Sequence, residues 1–147
     1  MDEIDGLILQ RLAENARVPM TELGKAIGLT APSVTERVKK LEDRGVIAGY
    51  SASINQKKLG KHITAFVLFD TDKCKQFVQF CEGYPDVAEC HRLAGQYSYL
   101  VKVVTQDVST LEAFIDQTMK YGKSSTLIVL SSPVEQRQGI NVAVQKG

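Results

Sequence analysis

No apolar run in the chain approaches the roughly 20 residues that a membrane-spanning helix requires. The N-terminus, MDEIDGLILQ, is acidic rather than basic ahead of its apolar part, so no signal peptide is expected and the location expected is cytoplasmic. Cysteine is scarce. Cys74, Cys81 and Cys90 are odd in number and form no CxxC pattern, which argues against a disulfide framework or a zinc ribbon. Histidine is scarcer still, with only His62 and His91. Cys90 adjoins His91, but neighbouring residues of a strand point to opposite faces, so the two make neither a metal site nor a nucleophile–base pair. No metal, cofactor or catalytic site is expected. Net charge is also small, +1 over 147 residues, so nucleic-acid binding cannot be argued from the chain as a whole. What remains is an ordinary composition, 44% apolar and 24% charged, enough to build one domain or two small ones.

The informative stretch is PMTELGKAIGLTAPSVTERVKKLEDR, from Pro19 to Arg44. Leu23, Ala26 and Ile27 recur on one helical face, Gly28 interrupts, and Val34, Val38 and Leu41 repeat at i, i+4, i+7 in a second segment. Thr30 stands where an N-cap belongs, and Pro32 falls in the first turn, where its missing N–H is harmless. The spacing predicts a helix over Ala31–Asp43, with Gly45 just past its end as a C′ residue. Separate from its apolar side runs a second, outer stripe, Ser33, Arg37, Lys40 and Arg44. A short helix held by its apolar side and presenting bases outward is how a helix-turn-helix enters a DNA major groove. The stripe reads equally well as a solvated, salt-bridged surface, because Glu36, Glu42 and Asp43 lie nearby. Charge is distributed unevenly: residues 30–60 carry six Lys/Arg against three acids, whereas residues 1–29 carry three against five. A few phosphate contacts per subunit would give weak, salt-sensitive binding, so useful affinity would require more than one copy.

Before this motif, Ile4, Leu7, Ile8 and Leu12 predict a third helix, with Asp2, Glu3 and Asp5 at its start. After it, VIAGYSASIN alternates and predicts a strand or wing of mixed polarity. The basic, glycine-containing QKKLGK marks a boundary between a DNA-binding unit over residues 1–60, including that linker strand, and a second domain over residues 61–147. In the second, HITAFVLFD predicts a strand covered on both faces. Next comes a helix with Cys74, Phe77, Val78 and Cys81 on one side, Asp72 as its N-cap and Gly83 as its stop. DVAECHRLAG and QYSYLVKVVT predict two strands. Ser109 to Glu112 has the spacing of a capping box, opening a helix with Leu111, Phe114, Ile115 and Met119 as its stripe. STLIVLSS predicts the last strand. The order βαββαβ is that of a ferredoxin-like, split βαβ sandwich, so the fold class expected is α+β. Two helices cover one side of such a sheet, yet Phe66, Leu68, Leu100 and Val104 place apolar side chains on the other. That bare face predicts a homodimer formed sheet to sheet. The competing expectation is that the tail, with Ile140, Val142 and Val144 alternating, folds over it.

An N-terminal, winged-helix-like helix-turn-helix followed by a βαββαβ domain resembles the Lrp/AsnC family of transcriptional regulators. The resemblance covers nearly the whole chain. It is carried by IDGLILQRLAENARVPMTELGKAIGLTAPSVTERVKKLEDRGVIAGYSASIN, including Asp5, Arg17, Leu23, Gly28, Leu29, Val34, Arg37, Leu41, Glu42, Gly45 and Ile47. It turns the stripe toward double-stranded DNA. Ser33, Glu36 and Arg37 are the candidates for base edges or phosphates, and Lys39, Lys40 and Arg44 for phosphates. Arg37 has a structural alternative, pairing with Glu42 or with an acid of the first helix. The resemblance also implies a RAM/ACT-like second domain, a linker strand paired with that of a partner, and an octamer built as a tetramer of dimers. Bending or wrapping of DNA, and small effectors such as amino acids held between subunits, are implied too.

Family members that respond to amino acids commonly carry a Gly-x-x-Asp turn between the second and third strands. The matching residues are Gly95, Gln96, Tyr97 and Ser98, the candidate effector site, where Ser98 replaces the carboxylate. No other acid occurs from His91 to Gln106. A pocket without a nearby acid lacks the obvious partner for an amino acid's ammonium, and the segment reads equally as a plain hairpin turn. Two other classes compete with the DNA-binding regulator. One is an enzyme on the ferredoxin-like scaffold, for which only Cys90 and His91 offer chemistry. The other is a ligand-binding or assembly module with a non-functional helix-turn-helix, which would have no reason to keep the basic stripe.

Overall fold

A computed structural model of the chain describes residues 1–140. These divide into two compact units, Met1–Ser53 with the segment from Val134, and Ile54–Pro133. The basic QKKLGK stretch, whose Gln56–Leu59 form a 3₁₀ turn, thus opens the second unit.

The first unit contains α1 (Glu3–Glu14), α2 (Met20–Ile27) and α3 (Ala31–Asp43). Asp2 precedes α1 and caps it: its carboxylate accepts from the Asp5 N–H at 2.9 Å, while the Asp5 carboxylate accepts from the Asp2 N–H at 3.3 Å. Thr30 caps α3, its hydroxyl oxygen accepting from the Ser33 N–H, and Pro32 occupies the first turn. At the other end Gly45 is left-handed (φ 73°). The Gly45 N–H bonds to the Glu42 carbonyl and the Val46 N–H to the Leu41 carbonyl, both at 2.9 Å, which satisfies carbonyls the helix leaves open. Ile8, Leu12, Leu23, Val34, Val38 and Leu41 form the buried core. Ala26 and Leu7, expected on buried faces, are exposed. Gly24 and Gly6 are buried instead.

Within the single chain residues 46–55 contain no strand, and Val46, Tyr50 and Ile54 are exposed. The alternating sequence suits extended backbone, but a strand also needs a neighbouring backbone to complete its ladder, and no described segment pairs with this one. Of the tail residues expected to cover the sheet, Val142 and Val144 lie outside the described residues.

The second unit runs β1 (Ile63–Asp70), α4 (Cys74–Glu82), β2 (Val87–Arg92), β3 (Tyr99–Thr105), α5 (Val108–Thr118), β4 (Lys123–Ile128). The sheet order is β2-β3-β1-β4, and every pairing is antiparallel. This is the expected βαββαβ arrangement. Ala65, Val67 and Phe69 of β1 and Tyr99, Val101 and Val103 of β3 pack with Phe77 and Cys81 of α4 and with Leu111 and Phe114 of α5. Phe69 and Phe77 stack with ring centroids 4.2 Å apart. Burial pushes the Cys81 thiol up to about 12, as befits a cysteine acting as a small apolar side chain.

Several local expectations for this unit are corrected. β1 is covered on one face only: Thr64, Phe66 and Leu68, with Leu100 and Val104 of β3, stay half-buried on the other. Asp72 does not cap α4; Lys73 holds that position, and its N–H is taken by the Thr71 hydroxyl at 2.9 Å. The capping box of α5 is Asp107 with Thr110, two residues ahead of the expected Ser109–Glu112, because an ionised carboxylate at the cap is the stronger acceptor. Met119 lies past that helix and is exposed, with Thr118 buried in its place. β4 ends at Ile128, well before Pro133.

The α2–α3 turn makes one sharp demand. The Leu29 N–H bonds to the Gly24 carbonyl at 2.9 Å, and a Cβ on Gly24 would sit 2.5 Å from the Leu29 carbonyl oxygen. Gly24→Ala therefore forces the turn apart. It should cost about 1–3 kcal/mol in denaturant unfolding of the intact protein, whereas Lys25→Ala, on the exposed side of the same helix, should stay within about 0.5 kcal/mol.

Candidate nucleic-acid interface

Burial of Val34, Val38 and Leu41 fixes the rotation of α3, and with it which side chains face solvent. Ser33, Glu36, Arg37, Lys40 and Arg44 line one shallow open depression of about 360 Å³, floored by Leu41 and flanked by Asp5. The structure thus brings together five of the six candidate DNA-contacting residues. The sixth, Lys39, is exposed on a neighbouring strip of the same helix.

Their electrostatics differ from residue to residue. Ser33 accepts a hydrogen bond from the Thr30 hydroxyl at 3.0 Å, which leaves its own hydroxyl proton to be given elsewhere. Lys40 Nζ lies 3.4 Å from Glu36 Oε1 with both side chains 70% exposed, a pairing that water screens and a phosphate can displace. Arg37 is held more firmly. Its Nη1 donates to Asp2 Oδ2 at 2.8 Å and to Asp5 Oδ1 at 3.1 Å, and Asp5 is only 14% exposed. Of the structural partners expected for Arg37, the acids of the first helix are the ones observed. The Arg37 guanidinium, and after it the Asp5 N–H, hold the Asp2 carboxyl below the ordinary carboxylate range, while Asp2 and then Asp5 raise Arg37.

The candidate effector loop is closely tied to β1. Gly95 is left-handed (φ 143°), the Leu93 N–H donates to the Ser98 carbonyl, and the Ser98 N–H donates to the Phe69 carbonyl, both at 2.8 Å. Ser98 Oγ lies 3.2 Å from the Thr71 carbonyl, accepts from the Thr71 N–H at 3.2 Å, and is 3.4 Å from Asp70 Oδ1. An acid therefore stands beside position 98 after all, contributed by the end of β1. Asp70 is remote in sequence from the acid-free stretch His91 to Gln106. The signal that finds it is the β1–β3 register, Phe69 opposite Tyr99, which sets Asp70 next to Ser98. Gln96 is exposed and Tyr97 half-buried on the same loop.

Residues 1–42 match the AsnC-type helix-turn-helix domain, and residues 64–139 match the Lrp/AsnC ligand binding domain. The chain belongs to the Lrp/AsnC family of transcriptional regulators. It is 56% identical over 132 residues to the HTH-type transcriptional regulator YezC of Bacillus subtilis (strain 168), covering 90% of this chain and 95% of that one. It is 34% identical to the LrpC regulator of the same organism over 89% and 92% of the two chains. The solved structure of B. subtilis LrpC superposes with a TM-score of 0.86 at 32% identity, covering 93% of this chain and 99% of that one. A transcriptional regulator of Neisseria meningitidis, solved in complex with L-Met, has a TM-score of 0.86 at 25% identity over 92% and 93%. Within this Lrp/AsnC chain no described helix is long and apolar enough to cross a membrane. No described group of three or more His, Cys, Asp or Glu residues is placed to hold a metal ion.

The depressed Asp2 carboxyl has a consequence for stability. Its contribution is fully present above the carboxyl's ordinary value and is lost as pH falls through its lowered value in the folded state. Thermal unfolding followed down an acid series should show this loss. Asp2→Asn keeps a good N-cap but removes the charge, so it should flatten that acid limb; an unchanged limb would show that the pair does not stabilise the fold.

Proposed function

We propose that this chain is a sequence-specific, DNA-binding transcriptional regulator acting as a homo-oligomer, with α3 in the major groove. One observation carries the reading: the exposed side of α3 gathers Ser33, Glu36, Lys40 and Arg44 in a single depression, flanking the side buried as core. Ser33 and Glu36, nearer the helix start, face base edges. The Ser33 hydroxyl donates or accepts there, and the Glu36 carboxylate accepts from a cytosine amino group. Lys39, Lys40 and Arg44 meet phosphates. Arg37 lines the same depression with its charge already engaged.

The half-buried sheet face bearing Phe66, Leu68, Leu100 and Val104 supports a homodimer joined there, and dimers assemble further into an octamer, a tetramer of dimers, around which DNA bends or wraps. Two-fold pairing doubles the phosphate contacts and suits half-sites about one helical turn apart, or a multiple of it. A small effector, an amino acid among the candidates, binds at the loop Gly95–Ser98. Asp70 beside Ser98 offers the carboxylate an ammonium group needs, and the methionine complex of the Neisseria regulator supports the same ligand class.

Gel-shift titration over a salt series tests the DNA reading. Changing Lys40 and Arg44 together to alanine should weaken binding to promoter and random DNA alike and lower the salt slope by about two. An unchanged slope rules out both side chains as phosphate contacts. Sedimentation velocity tests assembly: a stable monomer at micromolar concentration defeats the dimer, and a dimer with nothing larger removes the octamer alone.

A further inference from the structure

Three charged groups converge where α3 crosses the start of α1, and their sum is negative. Arg37 Nη1 reaches both oxygens of Asp2, at 2.8 and 3.0 Å, and Asp5 Oδ1 at 3.1 Å. Asp2 and Asp5 are themselves fixed by the reciprocal bonds of the α1 cap, so neither is a loose side chain that happens to lie near. Arg37 is half-buried, and its neighbours Val34, Val38 and Leu41 are the residues that seat α3 on the core. A phosphate drawn to Arg37 would have to approach two carboxylates already holding it, whereas Lys40 and Arg44 meet no such barrier beyond one exposed glutamate.

We infer that Arg37 is a positioning residue: it ties the middle of the DNA-facing helix to the capped start of α1, and it does not contact DNA phosphate. This rests on α3 being the helix that meets DNA. The Asp2–Arg37–Asp5 clamp then sets the angle at which Ser33, Glu36, Lys40 and Arg44 are presented. Loss of the clamp misplaces them together, so affinity falls without any phosphate contact being subtracted. The same two acids explain why the most central base of α3 adds nothing to the counterions released on binding.

Two kinds of variant test this, both read as affinity against salt concentration. Arg37→Gln should lower affinity roughly tenfold while leaving the salt slope at the wild-type value. Asp2→Asn retains a good N-cap, so it folds even where Arg37→Gln does not, and it should also lower affinity at unchanged slope. Combined, the two changes should cost little more than either alone, since both break one clamp. The inference is overturned if Arg37→Gln lowers the slope by about 0.9, one phosphate contact. It is equally overturned if Asp2→Asn tightens binding and steepens the slope, as freeing a DNA-contacting arginine would do. Failure of the wild-type protein to bind DNA in a salt-dependent manner would overturn the DNA reading of α3 and this inference with it. Either reversed result in a protein that does bind overturns this inference alone.

Discussion

The burial of Val34, Val38 and Leu41 beneath α3 is the constraint on which the functional surface depends. Each residue along a helix is turned by about 100° from the last, so three fully or nearly fully buried positions leave no freedom in what the other side presents. Had the apolar spacing been shifted back by one, Lys39 and Asp43 would face out where Lys40 and Arg44 do now. The caps reinforce this. Thr30 fixes where α3 begins, and the left-handed Gly45 fixes where it ends. Only a helix fixed in both phase and length can carry a recognition pattern that survives from one molecule to the next.

The sheet unit obeys a different constraint, the two-residue period of a strand. Alternate residues of β1 and β3 are buried against α4 and α5, which commits the remaining ones, Phe66, Leu68, Leu100 and Val104, to the open face. That face is not uniformly apolar. Lys102, opposite Phe66, belongs to it and reaches Glu89 Oε2 at 3.5 Å, while His91 lies 2.9 Å from the other oxygen of the same carboxylate. His91 first, and then Lys102, hold the Glu89 carboxyl below its ordinary range. Covering the face with a second copy would gain roughly 25 cal/mol for each Å² of apolar surface removed from water. The Lys102 charge must then keep its partner, since an unpaired buried ammonium would offset much of that gain. A charge set among the apolar side chains, with its carboxylate partner on the edge strand β2, favours a single docking register over general stickiness.

Sequence patterns were reliable wherever the deciding interaction is local. The helical phase of α3, the Thr30 cap and the Gly45 terminus depend on contacts a few residues apart, and each is found in place, as is the order βαββαβ. Errors gathered where two local solutions compete or where a distant partner decides. Asp72 and Asp107 both precede a helix, but only Asp107 reaches the N–H three residues on; at α4 the Thr71 hydroxyl takes a backbone N–H instead. The linker alternates as a strand does, yet alternation supplies no neighbouring backbone. Asp70 beside Ser98 is a pairing across 28 residues of chain, visible only once the elements are packed; for Arg37 the sequence leaves Glu42 and a first-helix acid both open, and packing selects Asp2 and Asp5, 35 and 32 residues away. The acid beside the Gly95–Ser98 loop is a neighbour that the sheet register provides, not the loop's own stretch of chain.

Charge accounting links the two units. Of the bases on α3, Arg37 is held by two acids and Lys40 is shared with Glu36, which leaves Lys39 and Arg44 as the cations of that helix without an ion pair among the described residues. At physiological ionic strength exposed charges are screened over about 8 Å, so so few phosphate contacts on one subunit cannot give tight binding. More bases on α3 would raise affinity, but for any DNA sequence equally, because phosphate contacts carry no sequence information. On the proposed reading of α3, Glu36 works the other way: it repels the phosphate backbone and is relieved only where a base offers a donor, which weakens binding to wrong sites more than to right ones. Low charge per subunit therefore favours discrimination, and repetition of the subunit restores affinity, since each added copy multiplies the contacts without changing what any one helix prefers. On the proposed assembly, the open sheet face is what makes repetition available. A modestly charged α3 and an incompletely covered sheet are thus two sides of one physical solution.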